Sequence, residues 1–303
     1  MMKTALILGI SGNFGQEMAK ALSNRGWSIR AIVRKQGGQF TKWPNVEVIE
    51  GDYQDRNLLA SVSDGVELLV YAINPPYTMW RKHALNMLEP VVELAEKKQI
   101  HLLFPGNVYN LNPTSDLLSE NTPLMGVTAK GELRKQMEQR LKRASESGAR
   151  ISIVRAGDFI GQHSQWLEMI LKNKQQGCFS FCLPHDSKHR HYWSYLPDLC
   201  ANTAAIIEQS SSQFEVWHDP GLVVSQKDWL DAFEHNGLRL NITSFPWWFY
   251  SLLAVFVPLV KEVMEMKYLW EKELILDGSK MKKALGQNLQ STELKNIVHH
   301  LTK

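Results

Sequence analysis

A glycine triplet near the start of the chain restricts its fold more than any other feature. Thr4 to Leu8 is a short, largely apolar run, the pattern of a strand buried on both faces. Gly9, Gly12 and Gly15 follow three residues apart, and an amphipathic helical pattern opens there and runs to Leu22. Glycine lets the backbone turn tightly and leaves no Cβ in the way of a bulky anion. The helix then directs its unpaired N–H groups and the positive end of its dipole at the same point. On this reading Gly9, Ser11, Gly12, Asn13, Phe14 and Gly15 surround the diphosphate of a dinucleotide. The alternative is an ordinary strand-to-helix turn that needs glycine only for its geometry.

The remaining composition narrows the class. With 303 residues the chain suits one large domain or two modest ones, and a net charge of +3 does not suggest nucleic acid as a partner. Three cysteines, an odd number, do not read as a disulfide framework, so a reducing cytoplasm is the expected setting. Met1 to Ile10 carries a lysine and an apolar run, but the run ends in the glycine turn without a cleavage site and reads as the first strand.

The spacing is Gly-x-x-Gly-x-x-Gly, not Gly-x-Gly-x-x-Gly. It resembles that of the extended and atypical short-chain dehydrogenase/reductases, the NAD(P)-dependent epimerase/dehydratase superfamily. The resemblance covers nearly the whole chain. It implies a Rossmann-type α/β fold: a doubly wound parallel sheet with a small α+β region over the carboxyl ends of its strands. Residues 1–161 would form the dinucleotide-binding domain, with 196–218 returning to it, and 162–195 and 219–303 the substrate-binding region.

Trp27 to Val33, Val46 to Glu50 and Glu67 to Ile73 read as the next three strands. The end of the second strand faces the adenosine ribose in this fold, where an acidic residue would select NAD. Arg34 and Lys35 stand there instead. Two cations suit the extra phosphate of NADP, so NADP is expected over NAD. Gly51-Asp52 follows the third strand. The resemblance makes Asp52, with Tyr53, an adenine-side contact, and Asp52 could equally cap the next helix. Ala72, Ile73 and Asn74, at the end of the fourth strand, should line the middle of the cofactor.

The chemistry is where the resemblance breaks. His101 to Phe104 reads as the fifth strand and leads into Pro105-Gly-Asn-Val-Tyr109. The family's serine falls at Pro105. Its Tyr-x-x-x-Lys segment falls on Gly126 to Lys130, so the lysine is present and the tyrosine is replaced by glycine. Lys130 would hold the nicotinamide ribose. Asn107, Tyr109, Tyr77 and Thr128 are candidate substitutes for the lost proton relay, with Lys130, Asn107 and Tyr109 the leading catalytic candidates. After the sixth strand (149–155), Arg155, Gly157 and Phe159 would line the site, with Gly157 against the cofactor.

In the second half, Gln165 to Gln176 reads as a helix and Cys178 to Leu183 alternates like an exposed strand. Cys178, Cys182, His185, His189 and His191 match no standard zinc spacing. With Lys188 and Arg190, the histidine loop is a candidate for meeting an anionic substrate. Asp198 should open a late helix, and Ser225 should cap another. Phe245 to Val260 is the most apolar stretch, too short to span a bilayer, with Pro246 and Pro258 near its ends. It reads as a buried or dimer-facing helix, which leaves a homodimer open. Membrane contact is the less favoured reading, kept open by the tryptophans at the edge of the stretch.

The expectation is therefore an NADP(H)-binding, epimerase- or reductase-like protein acting on a small carbonyl or sugar-nucleotide substrate without the usual tyrosine. The competing class is a non-catalytic NAD(P)-binding sensor.

Overall fold

The structure, a computed structural model, describes residues 2–35, 37–111, 117–162, 164–175, 177–185 and 189–303. The chain begins as alternating strands and helices: β1 (Thr4–Leu8), α1 (Asn13–Ser23), β2 (Ser28–Val33), β3 (Val46–Glu50), α2 (Arg56–Val62), β4 (Leu68–Tyr71), α3 (Trp80–Lys98) and β5 (His101–Asn107). A short β6 (Leu117–Leu118) precedes α4 (Ala129–Glu146) and β7 (Arg150–Ala156). Then come β8 (Asp158–Ile160), α5 (Gln165–Ile170), β9 (Leu171–Gln175), β10 (Cys178–Leu183), β11 (His191–Tyr195), α6 (Leu196–Gln209) and β12 (Phe214–His218).

Seven of these strands form one parallel sheet in the order β12-β7-β5-β4-β1-β2-β3. Strand order reverses between β1 and β4, and a doubly wound sheet opens its ligand crevice at that point. Strands such as β4 and β7 are buried almost throughout, because helices cover both faces. On one face Met18 and Leu22 of α1 pack with Leu199 and Ile206 of α6. On the other, Leu88 and Val92 of α3 pack with Met137 and Leu141 of α4.

The chain ends in β13 (Leu222–Val224), α7 (Gln226–His235), β14 (Arg239–Ser244), α8 (Trp247–Leu253), α9 (Pro258–Met264), α10 (Tyr268–Glu271), β15 (Ile275–Leu276), α11 (Ser279–Leu285) and α12 (Leu294–Thr302). These build a third core around Trp193, Trp229, Phe233 and Trp270 beside the carboxyl ends of the main strands. Ser225 and Asp228 form a reciprocal capping box at the start of α7. Asp198, in the first turn of α6, accepts hydrogen bonds from the backbone N–H and hydroxyl of Thr292 and so ties down the carboxyl-terminal segment.

Several expectations need correction. The helix expected over 165–176 stops at Ile170. Lys172 to Gln175 offer no apolar face, and this segment instead pairs antiparallel with β10. β10 is not an exposed strand: it lies between β9 and β14 and buries Phe179, Phe181 and Leu183 on one face. β5 runs on to Asn107, through Pro105. Beyond Leu103 it pairs only with β7, and the Pro105 carbonyl accepts from Arg134 Nη1, so the missing N–H costs no sheet bond. The apolar stretch is not one buried helix. It is two seven-residue helices, α8 entered from Pro246 and α9 opening at Pro258, and Trp248, Leu252, Val255, Phe256 and Leu259 are exposed.

Candidate functional site

A crevice of about 830 Å³ opens at the switch point of the sheet. That volume is within the usual range for ligand sites. Gly9, Ser11, Gly12, Arg34, Lys35, Asp52, Tyr53, Ala72, Ile73 and Asn74 all line it. The glycine turn is held by close backbone approach. Gly9 has φ +94°, and a Cβ on it would lie 2.6 Å from the Ala72 carbonyl oxygen. A Cβ on Gly15 would lie 2.2 Å from the Gly9 oxygen, so α1 sits directly on the turn. Gly12 caps α1 without a side-chain bond, and the first turn, which includes Asn13 and Phe14, holds no acidic residue. The first turn therefore brings no negative charge of its own, and the positive end of the helix dipole lies at the crevice. Phe14 itself turns inward and stacks on Phe159, with ring centroids 6.4 Å apart.

At the far end, Arg34 and Lys35 follow β2 and are exposed. Asp52 accepts from the Gln54 N–H and does not cap the next helix; Asp55 caps α2. Tyr53 is pushed up to about 12 by burial and by the Asp52 charge, so its phenol stays protonated and donates to the Met87 carbonyl. Met79, His83 and Met87, on the approach to α3 and along it, complete one wall; the sequence reading had not singled them out.

Lys130 is elsewhere. It is fully buried under α9. Its Nζ bonds the Glu262 carboxylate, Glu265 Oε2 at 2.7 Å and the Glu262 carbonyl at 3.2 Å. An ammonium has three N–H donors, and here all three on Lys130 are engaged by Glu262 and Glu265. Its backbone N–H also donates to Glu265 Oε1, so this carboxylate covers the amino-terminal end of α4. Burial pushes Glu265 up, but the Lys130 bonds outweigh it and hold its carboxyl below the usual range.

The glycine at the family's tyrosine position is required by packing. A Cβ at Gly126 would lie 2.1 Å from the Glu132 nitrogen and 2.5 Å from the Gly131 carbonyl carbon, inside the first turn of α4. No side chain fits there. Thr128 is the N-cap of α4, accepting from the Gly131 N–H. Asn107 accepts from the Tyr109 N–H and shapes the turn after β5. Arg155 does not line the site: it is buried in a two-pronged pair with Glu138 and touches His218.

Beyond the crevice, a cavity of about 40 Å³ lies among Tyr109, Gly157, Asp158 and His191, roofed by Leu269 and Leu274. It has room for a water or two and no sugar. Tyr109 and Tyr77 meet hydroxyl to hydroxyl at 3.0 Å, and burial raises both phenols. His191 Nε2 lies 2.8 Å from Asp158 Oδ2, and the imidazole stacks on Trp270. This His–Asp pair was missed from sequence because 33 residues separate its members. The anionic-substrate role foreseen for the histidine loop gains little from it. Arg190 pairs with Glu273, and Lys188 lies outside the described residues. Among the described residues no group of three or more His, Cys, Asp or Glu is placed to hold a metal ion.

Fold and crevice together define a Rossmann-type α/β protein with its ligand crevice at the switch point of the sheet. The profile of the NmrA-like family matches residues 1–216, and the chain belongs to that family. Among solved structures it is similar to a dTDP-glucose 4,6-dehydratase from Bacillus anthracis in complex with NAD: 14% identity, 98% of this chain and 96% of that one, TM-score 0.74. It is also similar to an L-threonine dehydrogenase from Cupriavidus necator in its holo form (16%, 99% and 98%, TM-score 0.74). A UDP-glucose 4-epimerase matches at 16% identity over 98% and 96%, with TM-score 0.69. At these identities the likeness is one of fold. No curated protein sequence matches the chain.

Proposed function

We propose that the chain binds NADP(H) along the crevice and uses it as a reductase- or epimerase-like enzyme on a small carbonyl or sugar-nucleotide substrate. One observation carries the reading. The glycine turn, at the amino terminus of α1 where the first turn holds no acidic residue, shares a single crevice with the exposed Arg34 and Lys35. A diphosphate fits the first and a ribose phosphate the second. Several of the solved structures similar in fold carry NAD, which supports a pyridine dinucleotide without separating NADP from NAD.

Bound there, the cofactor would supply hydride, and positioning would provide most of the acceleration. The proton that a reduced carbonyl needs would come from the small cavity. The raised Tyr109 and Tyr77 phenols stay neutral and can donate, and Asp158 orients His191 toward the same space. Asn107 would hold the turn that presents Tyr109. A substrate larger than water requires Leu269 and Leu274 to move.

A second reading, a nucleotide-binding regulator without turnover, is favoured by the engaged Lys130 and by the packing that excludes any side chain at Gly126. The test is NADPH oxidation with a panel of aldehydes, ketones and sugar nucleotides. Turnover that falls at least about tenfold in His191→Ala or Tyr109→Phe supports the enzyme. NADPH binding without turnover on any member of the panel supports the regulator.

A further inference from the structure

We propose that the α8–α9 hairpin docks the protein on the surface of an anionic lipid bilayer. From Leu240 to Val260 the sequence has no Asp, Glu, Lys, Arg or His. Phe245, Trp247 and Tyr250 pack on the third core, but the apolar side chains toward the tip do not close over it. Trp248 is 70% exposed, Leu252 62%, Val255 77% and Phe256 82%, with Leu259 beside them. Exposure this high in the turn between two helices means that the tip projects outward. Monomers rarely show so continuous an apolar patch unless something covers it.

The hairpin is firmly held at its base, so the exposure does not reflect a loose segment. Phe245 stacks on Tyr250, the Trp247 indole donates to the Pro184 carbonyl, and Glu262 of α9 clamps buried Lys130. These contacts also sort the charges. The carboxylates of Glu262 and Glu265 turn inward to Lys130, while Lys261 stays exposed beside the tip. Arg81 and Lys82, on the start of α3, are exposed, and Arg81 pairs with Glu265 at the end of α9. Lys267 pairs with Glu271 farther along.

An apolar tip with tryptophan at its edge and cations on its shoulder is the pattern of a peripheral bilayer contact. Such a contact buries apolar side chains at the acyl boundary and sets lysine and arginine among phosphates. The cationic shoulder decides between this occupant and a second copy. A two-fold interface would set the patch against itself, cations included, whereas anionic headgroups neutralise them. Among the described residues no helix is long and apolar enough to cross a membrane, so the contact is peripheral. Met79, which lines the crevice and is exposed, lies on the segment packed against α9, so docking would hold the crevice mouth beside the bilayer.

The experiment is flotation of the full chain with vesicles of phosphatidylcholine containing about one-third phosphatidylglycerol, and with phosphatidylcholine alone, alongside sizing chromatography. The protein should float with the anionic vesicles and bind less at high salt. Leu252→Ser with Phe256→Ser should weaken binding at least about tenfold. Lys261→Glu with Lys82→Glu should weaken it several-fold and leave the melting temperature unchanged, which guards against a folding defect in the apolar variant. Three results would overturn the proposal: no binding to anionic vesicles, binding indifferent to the charge reversal, or a dimer that the apolar variant converts to monomer without any vesicle binding.

Discussion

Replacing Lys130 with methionine decides between two readings of it, as the residue that fastens α9 and as a ribose ligand. The side chain is fully buried and all its donors are engaged with Glu262 and Glu265. Methionine fills similar space but leaves two carboxylates facing each other. Removing one partner of a buried ion pair costs about 3–5 kcal/mol. The two glutamates are 16% and 17% exposed and can turn partly to water, which lowers the expected loss to about 2–3 kcal/mol. At roughly 2–4 °C per kcal/mol, the melting temperature should fall by about 4–12 °C. Thermal unfolding near neutral pH and an NADPH titration are the two readouts, with affinity expected to change by no more than about threefold. The reasoning is refuted if stability is unchanged and NADPH affinity drops tenfold or more, because Lys130 would then serve the ribose after all.

Gly15→Ala should weaken NADPH binding more than about tenfold in a calorimetric titration and lower stability by about 1–3 kcal/mol. Its Cβ would meet the Gly9 backbone, which cannot move without opening the turn. His101 and His218 are both pulled down to about 3, mainly by burial and further by a neighbouring arginine. Their folded values lie below the unfolded value near 6.5, so the stability they contribute is present above that pH and lost as pH falls toward 3. Asp219 runs the other way: burial pushes it up to about 7, so its ionisation destabilises the fold as pH rises from about 4 to 7. Melting curves across pH should show Asp219→Asn stabilising at about pH 8 and neutral at about pH 4, with an acid limb below about 6.5 that flattens in His101→Asn.

The first strand, turn and helix were legible because their signals are local: a buried run, three glycines and an amphipathic repeat within twenty residues. The same locality exposed Arg34, Lys35 and the Asp52 turn at the crevice. What could not be read depends on contacts between distant segments. Lys130 meets Glu262 and Glu265 across more than 130 residues, and no spacing rule connects them. β9 became a strand because β10 offered it an edge, although its own sequence has no strand pattern. Hydropathy alone makes the apolar stretch a buried or dimer-facing helix; the break before Pro258 and a shortage of neighbours leave much of it at the surface as two short helices. Gly126 could be seen to lack a phenol; only the close approach of α4 explains why it must.

Direct calorimetric titration with NADPH and NADH tests the central claim, that the glycine turn and the Arg34–Lys35 end form one dinucleotide site. The account predicts that both bind, that NADPH binds about tenfold or more tightly, and that Arg34→Ala removes most of the difference. Absence of binding by either nucleotide would contradict it.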